Sequence, residues 1–132
     1  MSNKPPEWIV DSIADFRHLL GVSDAWHVFA TMTDAPFGDN TNAGAVDPDF
    51  VYLNAPMEFS RDLEDGKRGQ QVIMHEMLHV AMAEMDSIVK RAMERLSDGD
   101  KKLFEDMYLD SVERFIQTSS RAILSNLRVA KT

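Results

Sequence analysis

The sequence predicts an α+β domain, because helical and strand-like patterns occupy separate stretches of one short chain. The chain has 132 residues, which is enough for one domain with its own hydrophobic core. One helical pattern comes first, strand-like runs follow, and helical patterns fill the second half. We therefore expect residues 1–132 to form a single domain, with a small sheet beside its helices and with residues 1–6 flexible.

Apolar residues at helical spacing predict three helices. The first covers residues 8–20 and stops at Gly21. The second is expected to run without a break over residues 69–96. The third is expected to cover residues 98–127, with Ser97 as its N-terminal cap.

The stretch between the first two helices predicts a small sheet. AWHVFATM (residues 25–32) and FVYLN (residues 50–54) are rich in the β-branched and aromatic residues that favour strands. Turn-forming residues lie between them and surround a short AGAV strand. Pro56 is expected to end the FVYLN strand.

Composition excludes several classes of site. The chain contains no cysteine, so disulfides, thiolate catalysis and cysteine-bound zinc are excluded. A net charge of -8 argues against nucleic-acid binding, which usually requires a basic face. The start, MSNKPPEWIV, lacks the apolar core of a signal peptide, and no stretch approaches membrane-spanning length. We expect a cytoplasmic protein without a membrane role.

HEMLH at residues 75–79 is an HExxH pattern and carries the functional prediction. Residues four apart on a helix lie about 6 Å apart on the same side, so His75 and His79 can converge on one metal ion. Bound zinc lowers the pKa of a water molecule, and Glu76 is placed to accept the proton of that water.

The alternative is a pair of core histidines satisfied by hydrogen bonds. The positions around the motif are uncharged, and the two histidines lie at the edge of an expected core face. Unpaired buried polar groups are costly, so such histidines need a partner, and zinc is favoured. The expected core face comprises Met74, Met77, Leu78, Ala81, Met85, Ile88, Ala92 and Leu96.

The last helix offers a third ligand. Glu113 interrupts an otherwise mostly apolar row that runs from Leu109 to Leu127, and charged residues on such rows are usually paired or ligating. The alternative for Glu113 is an ion pair with an arginine or lysine, and Glu105 is the second choice of ligand. The row formed by Asp106, Asp110, Arg114 and Gln117 is expected to be solvated.

Acidic residues closer to the motif are less suitable as ligands. Asp86 lies on the histidine side, but seven residues beyond His79 is about 10.5 Å along an unbroken helix. It could join the same ion only if the helix broke, and no glycine or proline is present to break it. Glu84 points away from the histidines.

The stretch VIMHEMLHVA resembles the extended zincin signature, in which a valine or threonine lies three residues before the first histidine. Together with an "AEMD" continuation and "VERF" in the last helix, the chain is similar to small phage- and prophage-encoded zinc metallopeptidases. The resemblance covers roughly residues 7–127. It implies a zincin-like fold and a gluzincin-like Zn²⁺ site made of two histidines and a distant glutamate, with Glu76 as general base.

Two functions follow as hypotheses. The first is a zinc-dependent hydrolase, most simply a peptidase acting on a polypeptide, with Tyr108 or Tyr52 donating a hydrogen bond to the oxyanion. The FVYLN strand is then expected to align the peptide by strand addition. The second is a non-catalytic zincin-fold module that binds a phage or host protein. His18 and His27 are expected to be structural or exposed.

Overall fold

The computed structural model describes the backbone of residues 3–131 and the side chains of residues 3–127. The predicted α+β class is confirmed, with four helices and one three-stranded sheet in the described residues. In chain order the elements are α1 (Glu7–Leu19), β1 (His27–Thr33), a short 3-10 turn (Pro36–Gly38), β2 (Gly44–Val46), β3 (Asn54–Ser60), α2 (Lys67–Ala81), α3 (Ala83–Met93) and α4 (Asp98–Lys131).

The sheet has the order β1-β3-β2, so the last strand in the chain is the central one. β3 runs parallel to β1 and antiparallel to β2. Ala55, Met57 and Phe59 of β3 are fully buried and form the part of the core that the sheet contributes. The short strand β2 is left at one edge of the sheet.

The prediction of a strand at residues 50–54 is wrong. Residues 50–53 form a turn, in which the Asp49 carboxylate accepts hydrogen bonds from the N–H groups of Val51 (2.9 Å) and Tyr52 (3.2 Å). An aspartate that bonds to the backbone two residues ahead stabilises a turn. This local bonding overrides the strand propensity of the aromatic and β-branched residues.

Pro56 does not end a strand but lies within β3. It lies opposite Asp47, one residue beyond the last β2 pair, Val46 with Met57. The Pro56 carbonyl accepts the Asp47 N–H at 3.2 Å. The backbone groups of Pro56 therefore face the β2 side, where the ladder has already ended, so the missing N–H of proline removes no bond from the ladder between β1 and β3.

The prediction of an unbroken helix over residues 69–96 is also wrong. The helix breaks at Met82 (φ -93°, ψ 0°), a backbone conformation that any residue can adopt. The break separates α2 from α3, and no glycine or proline causes it. Beyond the break, Met85 and Ile88 are exposed instead of lying in the core as expected.

Close packing at two glycines fixes the position of α2. A side chain at Gly44 would lie 2.6 Å from the Phe59 ring and 2.9 Å from Val72 of α2. A side chain at Gly69 would collide with the Glu64 carbonyl. The absence of both side chains lets β2 and the preceding loop approach α2 closely.

α4 begins where the sequence predicts it. The Asp100 N–H donates to Ser97 Oγ at 3.4 Å, so Ser97 acts as the cap. The buried residues of α4 recur every four positions, at Val112, Ile116, Ser120 and Leu124, and this row packs against α2.

Residues 1 and 2 of the segment expected to be flexible lie outside the described part. Asn3 is held against the sheet by two hydrogen bonds. Its carbonyl accepts one from the Met32 N–H at 2.9 Å, and its Oδ1 accepts one from the Arg61 guanidinium at 2.7 Å. Among the described residues, none of the helices has the length and apolar character needed to cross a membrane.

Candidate metal centre

α2 turns three different surfaces toward its surroundings at the HExxH motif. Met74 and Met77 are fully buried in the core. The side chains of His75 and His79 are 20% and 22% exposed and face α4. Glu76 is 7% exposed and lies near β2, since adjacent helical residues project about 100° apart.

The structure brings His75, His79 and Glu113 together across the α2–α4 interface. His75 Nε2 lies 3.3 Å from Glu113 Oε2, and His79 Nε2 lies 2.9 Å from Glu113 Oε1. The ring centroids of the two histidines are 5.2 Å apart, as expected for helical neighbours four residues apart. The partners of Glu113 are therefore the two histidines, and not an arginine or lysine.

This donor set fits a zinc ion. One ligand atom from each of the three side chains lies within 4.8 Å of the other two. Ligands bound at about 2.0–2.2 Å from a tetrahedral zinc are about 3.4 Å apart, so small side-chain rotations are enough. Two imidazoles and one carboxylate are a donor set that catalytic zinc sites use.

The environment of His75 favours the neutral imidazole that binds metals. Burial lowers the pKa of His75 and outweighs the opposing effect of the Glu113 carboxylate. Gln117, one turn beyond Glu113 on α4, forms a side-chain hydrogen bond with His75. Such a bond fixes the orientation of a ligating ring.

Glu76 is the most perturbed carboxyl group of the site. Burial, followed by the charge of Glu113, raises the pKa of Glu76 to about 8. The backbone N–H of Val46 in β2 donates to the Glu76 carboxylate and opposes this rise. Glu76 is thus held between the HExxH helix and the edge strand.

A cleft of about 380 Å³ opens beside these residues. His75 and Glu76 form part of its wall, together with Gly44 of β2 and with Gln117 and Ser120 of α4. A larger cavity of about 510 Å³ lies between the loops around residues 40–43 and 60–66 and contains none of the three candidate ligands. The smaller cleft is therefore the one connected with the predicted chemistry.

Tyr108 lies away from this cleft. Its hydroxyl donates to Asp86 Oδ1 at 2.5 Å, and it is not among the residues that line the cleft. Burial and the bond to Asp86 raise the pKa of Tyr108 to about 12, so the hydroxyl keeps its proton. A catalytic role for Tyr108 stays a prediction. It requires that the hydrogen bond between the Tyr108 hydroxyl and Asp86 break, so that the hydroxyl can donate to a substrate.

The other candidates lie outside the ligand group. Glu105 is exposed on α4, and Tyr52 is 76% exposed in the turn before β3. His27 packs its ring against Phe29 at 4.9 Å between centroids. Although the helix breaks before Asp86, its carboxylate bonds to Tyr108 and does not join the histidines.

Sequence reasoning missed three contributors to the site. Gln117 is exposed, as expected for the solvated row of α4, but it also lines the cleft and bonds to His75, which the row pattern does not predict. Its position four residues after Glu113 was a usable signal. The sequence does not predict the roles of Gly44 and Val46, because neither role depends on a functional side chain. Gly44 allows close packing, and Val46 contributes its backbone N–H.

Glu113 also lies differently from the prediction. The buried row of α4 passes through Val112 and Ile116, and Leu109 is exposed. Glu113 lies at the edge of this row, with its side chain 56% exposed. The carboxylate thus reaches the histidines from the rim of the interface and keeps access to solvent.

Comparisons with protein-family models, with curated proteins and with solved structures find no match to this chain.

Proposed function

We propose that this chain is a zinc-dependent hydrolase, most simply a peptidase, with His75, His79 and Glu113 as metal ligands and Glu76 as general base. The observation that carries the proposal is the meeting of these three side chains across α2 and α4, with Glu76 lining a cleft beside His75. The resemblance of VIMHEMLHVA to the zincin signature supports it.

Each side chain then has a distinct role. A zinc ion, when bound, supplies Lewis acidity and makes a water molecule acidic enough to be deprotonated near neutral pH. Glu76 accepts the proton of the attacking water and returns it to the leaving amine. Gln117 holds the His75 ring in place.

The surroundings of Glu76 suit a group that both takes up and releases a proton. A general base works best when its pKa lies near the working pH. Burial raises the pKa of Glu76 to about 8 in the metal-free site. A neighbouring cation favours the carboxylate form and shifts this pKa downward, toward neutrality.

The edge strand β2 supports a polypeptide as substrate. β2 pairs with β3 through the backbone groups of Ala43 and Asp47. In an antiparallel pair the intervening groups, those of Gly44 and Val46, point to the opposite side. The Val46 N–H reaches Glu76 there, and Gly44 lines the cleft. Because Glu76 takes the Val46 N–H, an extended peptide would pair with this edge at Gly44, where it would pass the site. β2 would then take the role that the FVYLN segment was predicted to have.

A second candidate function is a non-catalytic binding module. Several large apolar side chains of α3 and α4 are exposed, and groups of this kind mark interaction surfaces. They are Met85, Ile88, Leu103, Phe104 and Met107. This surface would serve a protein partner without requiring hydrolysis.

The substitution Glu76→Gln separates the two candidates. It keeps the size of the side chain but removes the base, so zinc content should stay unchanged while cleavage falls by about 10²–10⁴-fold. Cleavage of a mixed peptide library is followed by mass spectrometry, and bound zinc is measured by atomic emission. Glu94→Gln, an exposed position at the end of α3, is the matched control. A Glu76→Gln variant that cleaves at the parental rate would exclude Glu76 as the base.

A further inference from the structure

Two arginines line the same cleft as His75 and Glu76. Arg68 lies in the first turn of α2, and Arg121 lies on α4 beyond Gln117. They come from the two helices that hold the candidate ligands. The cleft therefore has an end with the candidate ligand His75 and the candidate base Glu76, and a cationic end.

The spacing between these ends follows from helix geometry. Arg68 precedes His75 by seven residues, or about 10.5 Å along α2, and Arg121 follows Glu113 by eight residues, or about 12 Å along α4. Both arginines are displaced from the ligands in the same direction, because α2 and α4 run antiparallel: His75 contacts Glu113 and Gln117, and Arg68 lines the cleft together with Arg121. An extended peptide covers this distance with roughly three residues.

The two guanidinium groups are available to a ligand. Among the residues that the structure describes, neither Arg68 nor Arg121 makes a hydrogen bond or an ion pair, whereas Arg114 on the same helix pairs with Asp110 at 3.2 Å. The chain as a whole carries a net charge of -8, so two unpaired arginines facing one cleft contrast with their acidic background.

The cavity next to the cationic end is more acidic than the cleft. It shares Arg68 with the cleft, and its wall holds three carboxylates, those of Asp62, Glu64 and Asp65, against the two cationic side chains of Lys67 and Arg68. These carboxylates would repel an anionic chain that continued past the arginines. The arrangement suits a single anionic group and disfavours a polyanion.

We infer that Arg68 and Arg121 bind a carboxylate of the substrate, roughly three residues from the bond that is cleaved. This inference rests on the proposed peptidase function and names the substrate class, a peptide with one carboxylate at this position. Guanidinium groups pair with carboxylates through two parallel hydrogen bonds, which fixes orientation as well as charge. The carboxylate is either the chain terminus or the side chain of an aspartate or glutamate.

Binding to the metal-free full chain tests the inference, because no carboxylate can then bind to zinc. Three probes are compared by shifts of backbone amide NMR signals: acetyl-Ala-Ala-Ala with a free carboxyl terminus, acetyl-Ala-Ala-Glu amide and acetyl-Ala-Ala-Gln amide. We expect at least one carboxylate peptide to bind about 10-fold or more tightly than the Gln amide, with shifts at cleft residues. The tighter of the two identifies the source of the carboxylate.

Three variants make the test specific. Arg68→Gln and Arg121→Gln should each weaken carboxylate binding about 10-fold or more, whereas Arg114→Gln removes the same charge outside the cleft and should change it less than twofold. Both cleft arginines are exposed, so neither substitution disturbs the core. Equal binding of all three probes, or equal loss in all three variants, would overturn the inference.

The carboxylate site and the proposed peptidase function can fail separately in these experiments. If Glu76→Gln leaves cleavage unchanged but the arginine variants lose carboxylate binding, the peptidase mechanism fails and the anion site stands. If cleavage depends on Glu76 but the probes do not discriminate, the peptidase stands and the anion site fails.

Discussion

α2 and α3 share the same apolar spacing in their sequences, but the apolar side chains are buried in α2 and largely exposed in α3. Both carry apolar residues at helical spacing, and the sequence predicts one continuous helix with one core face. In the structure Met74 and Met77 of α2 are 0% exposed, whereas Met85 and Ile88 of α3 are 48% and 59% exposed. Helical spacing thus predicts the helix, but its burial depends on what packs against it.

The difference has a structural cause. α2 packs against α1, β2 and α4, so most of its circumference is covered. The break at Met82 turns the chain away from this position, and α3 packs against α4 and the end of α2. All the candidate catalytic groups of the motif lie on the covered helix. Rigid surroundings are what a metal site needs to hold its ligands in place.

The largest expected effect is on zinc affinity, and it distinguishes Glu113, which contacts the histidines of α2, from Asp86 on α3. Glu113→Ala removes a candidate ligand of the α2 site and should weaken zinc binding by more than about 100-fold, beyond the range for groups that only orient a ligand. Asp86→Ala on α3 should change it by less than about twofold. Competition with a chromophoric chelator measures both. Similar zinc affinities for the Glu113 variant and the parent would remove Glu113 from the site.

Core packing should differ just as clearly between the helices. Met77→Ala creates a cavity in the core and should lower the free energy of unfolding by about 2–5 kcal/mol. Ile88→Ala removes an exposed side chain and should change it by less than about 0.5 kcal/mol. Urea denaturation of the metal-free proteins measures both values. A large loss at Ile88 would show that a partner or a second copy covers α3 in solution.

The pH dependence of stability should reveal the buried carboxyl group of α2. The pKa of Glu76 is about 8 in the folded protein and 4.5 in its ordinary state, so the folded chain keeps a proton that the unfolded chain loses. The contribution to stability is complete below about pH 4.5 and is lost as pH rises through 8. Between pH 6 and 8 the loss should be roughly 2 kcal/mol.

Glu76→Gln is the control for this pH effect, because the amide does not titrate. Urea denaturation in the presence of a chelator should show the decline in the parent and not in the variant. Other titrating groups are common to both proteins and cancel in the difference. Parallel pH profiles for parent and variant would mean that the Glu76 carboxyl group is solvated.

The smallest expected effect concerns the bond that joins α3 to α4. Tyr108→Phe removes the hydroxyl that donates to Asp86 and should cost about 1 kcal/mol of stability. The same variant decides the catalytic prediction for Tyr108. Loss of an oxyanion donor would reduce cleavage by about 10²–10³-fold. An unchanged rate would leave Tyr108 with the structural role alone.

Local patterns in the sequence predicted the features that depend on local interactions. The i, i+4 spacing of His75 and His79, the Ser97 cap and the α+β order are of this kind. Glu113 was singled out because a carboxylate interrupts an apolar row, although it proved to lie at the edge of the buried row.

Features that depend on tertiary packing were missed, and so was one local bond between a side chain and the backbone. Nothing near Met82 signals a break, since neither glycine nor proline is present. The FVYLN segment was predicted as a strand but forms a turn, because the Asp49 side chain accepts a hydrogen bond from its backbone. The Val46 N–H and the two cleft arginines become visible when α2, β2 and α4 are placed beside one another.

The distribution of the candidate ligands along the chain has a consequence for folding. His75 and His79 lie within one helix, but Glu113 comes 34 residues after His79 on another helix, so the unfolded chain presents all three to one ion only at the entropic cost of closing that loop. A metal that binds the native state selectively stabilises it by mass action, by about 2.7 kcal/mol at a free concentration 100 times its dissociation constant. In a chain without cysteines, bound zinc would thus link α2 to α4 in the folded state only. The melting temperature would then rise with zinc concentration.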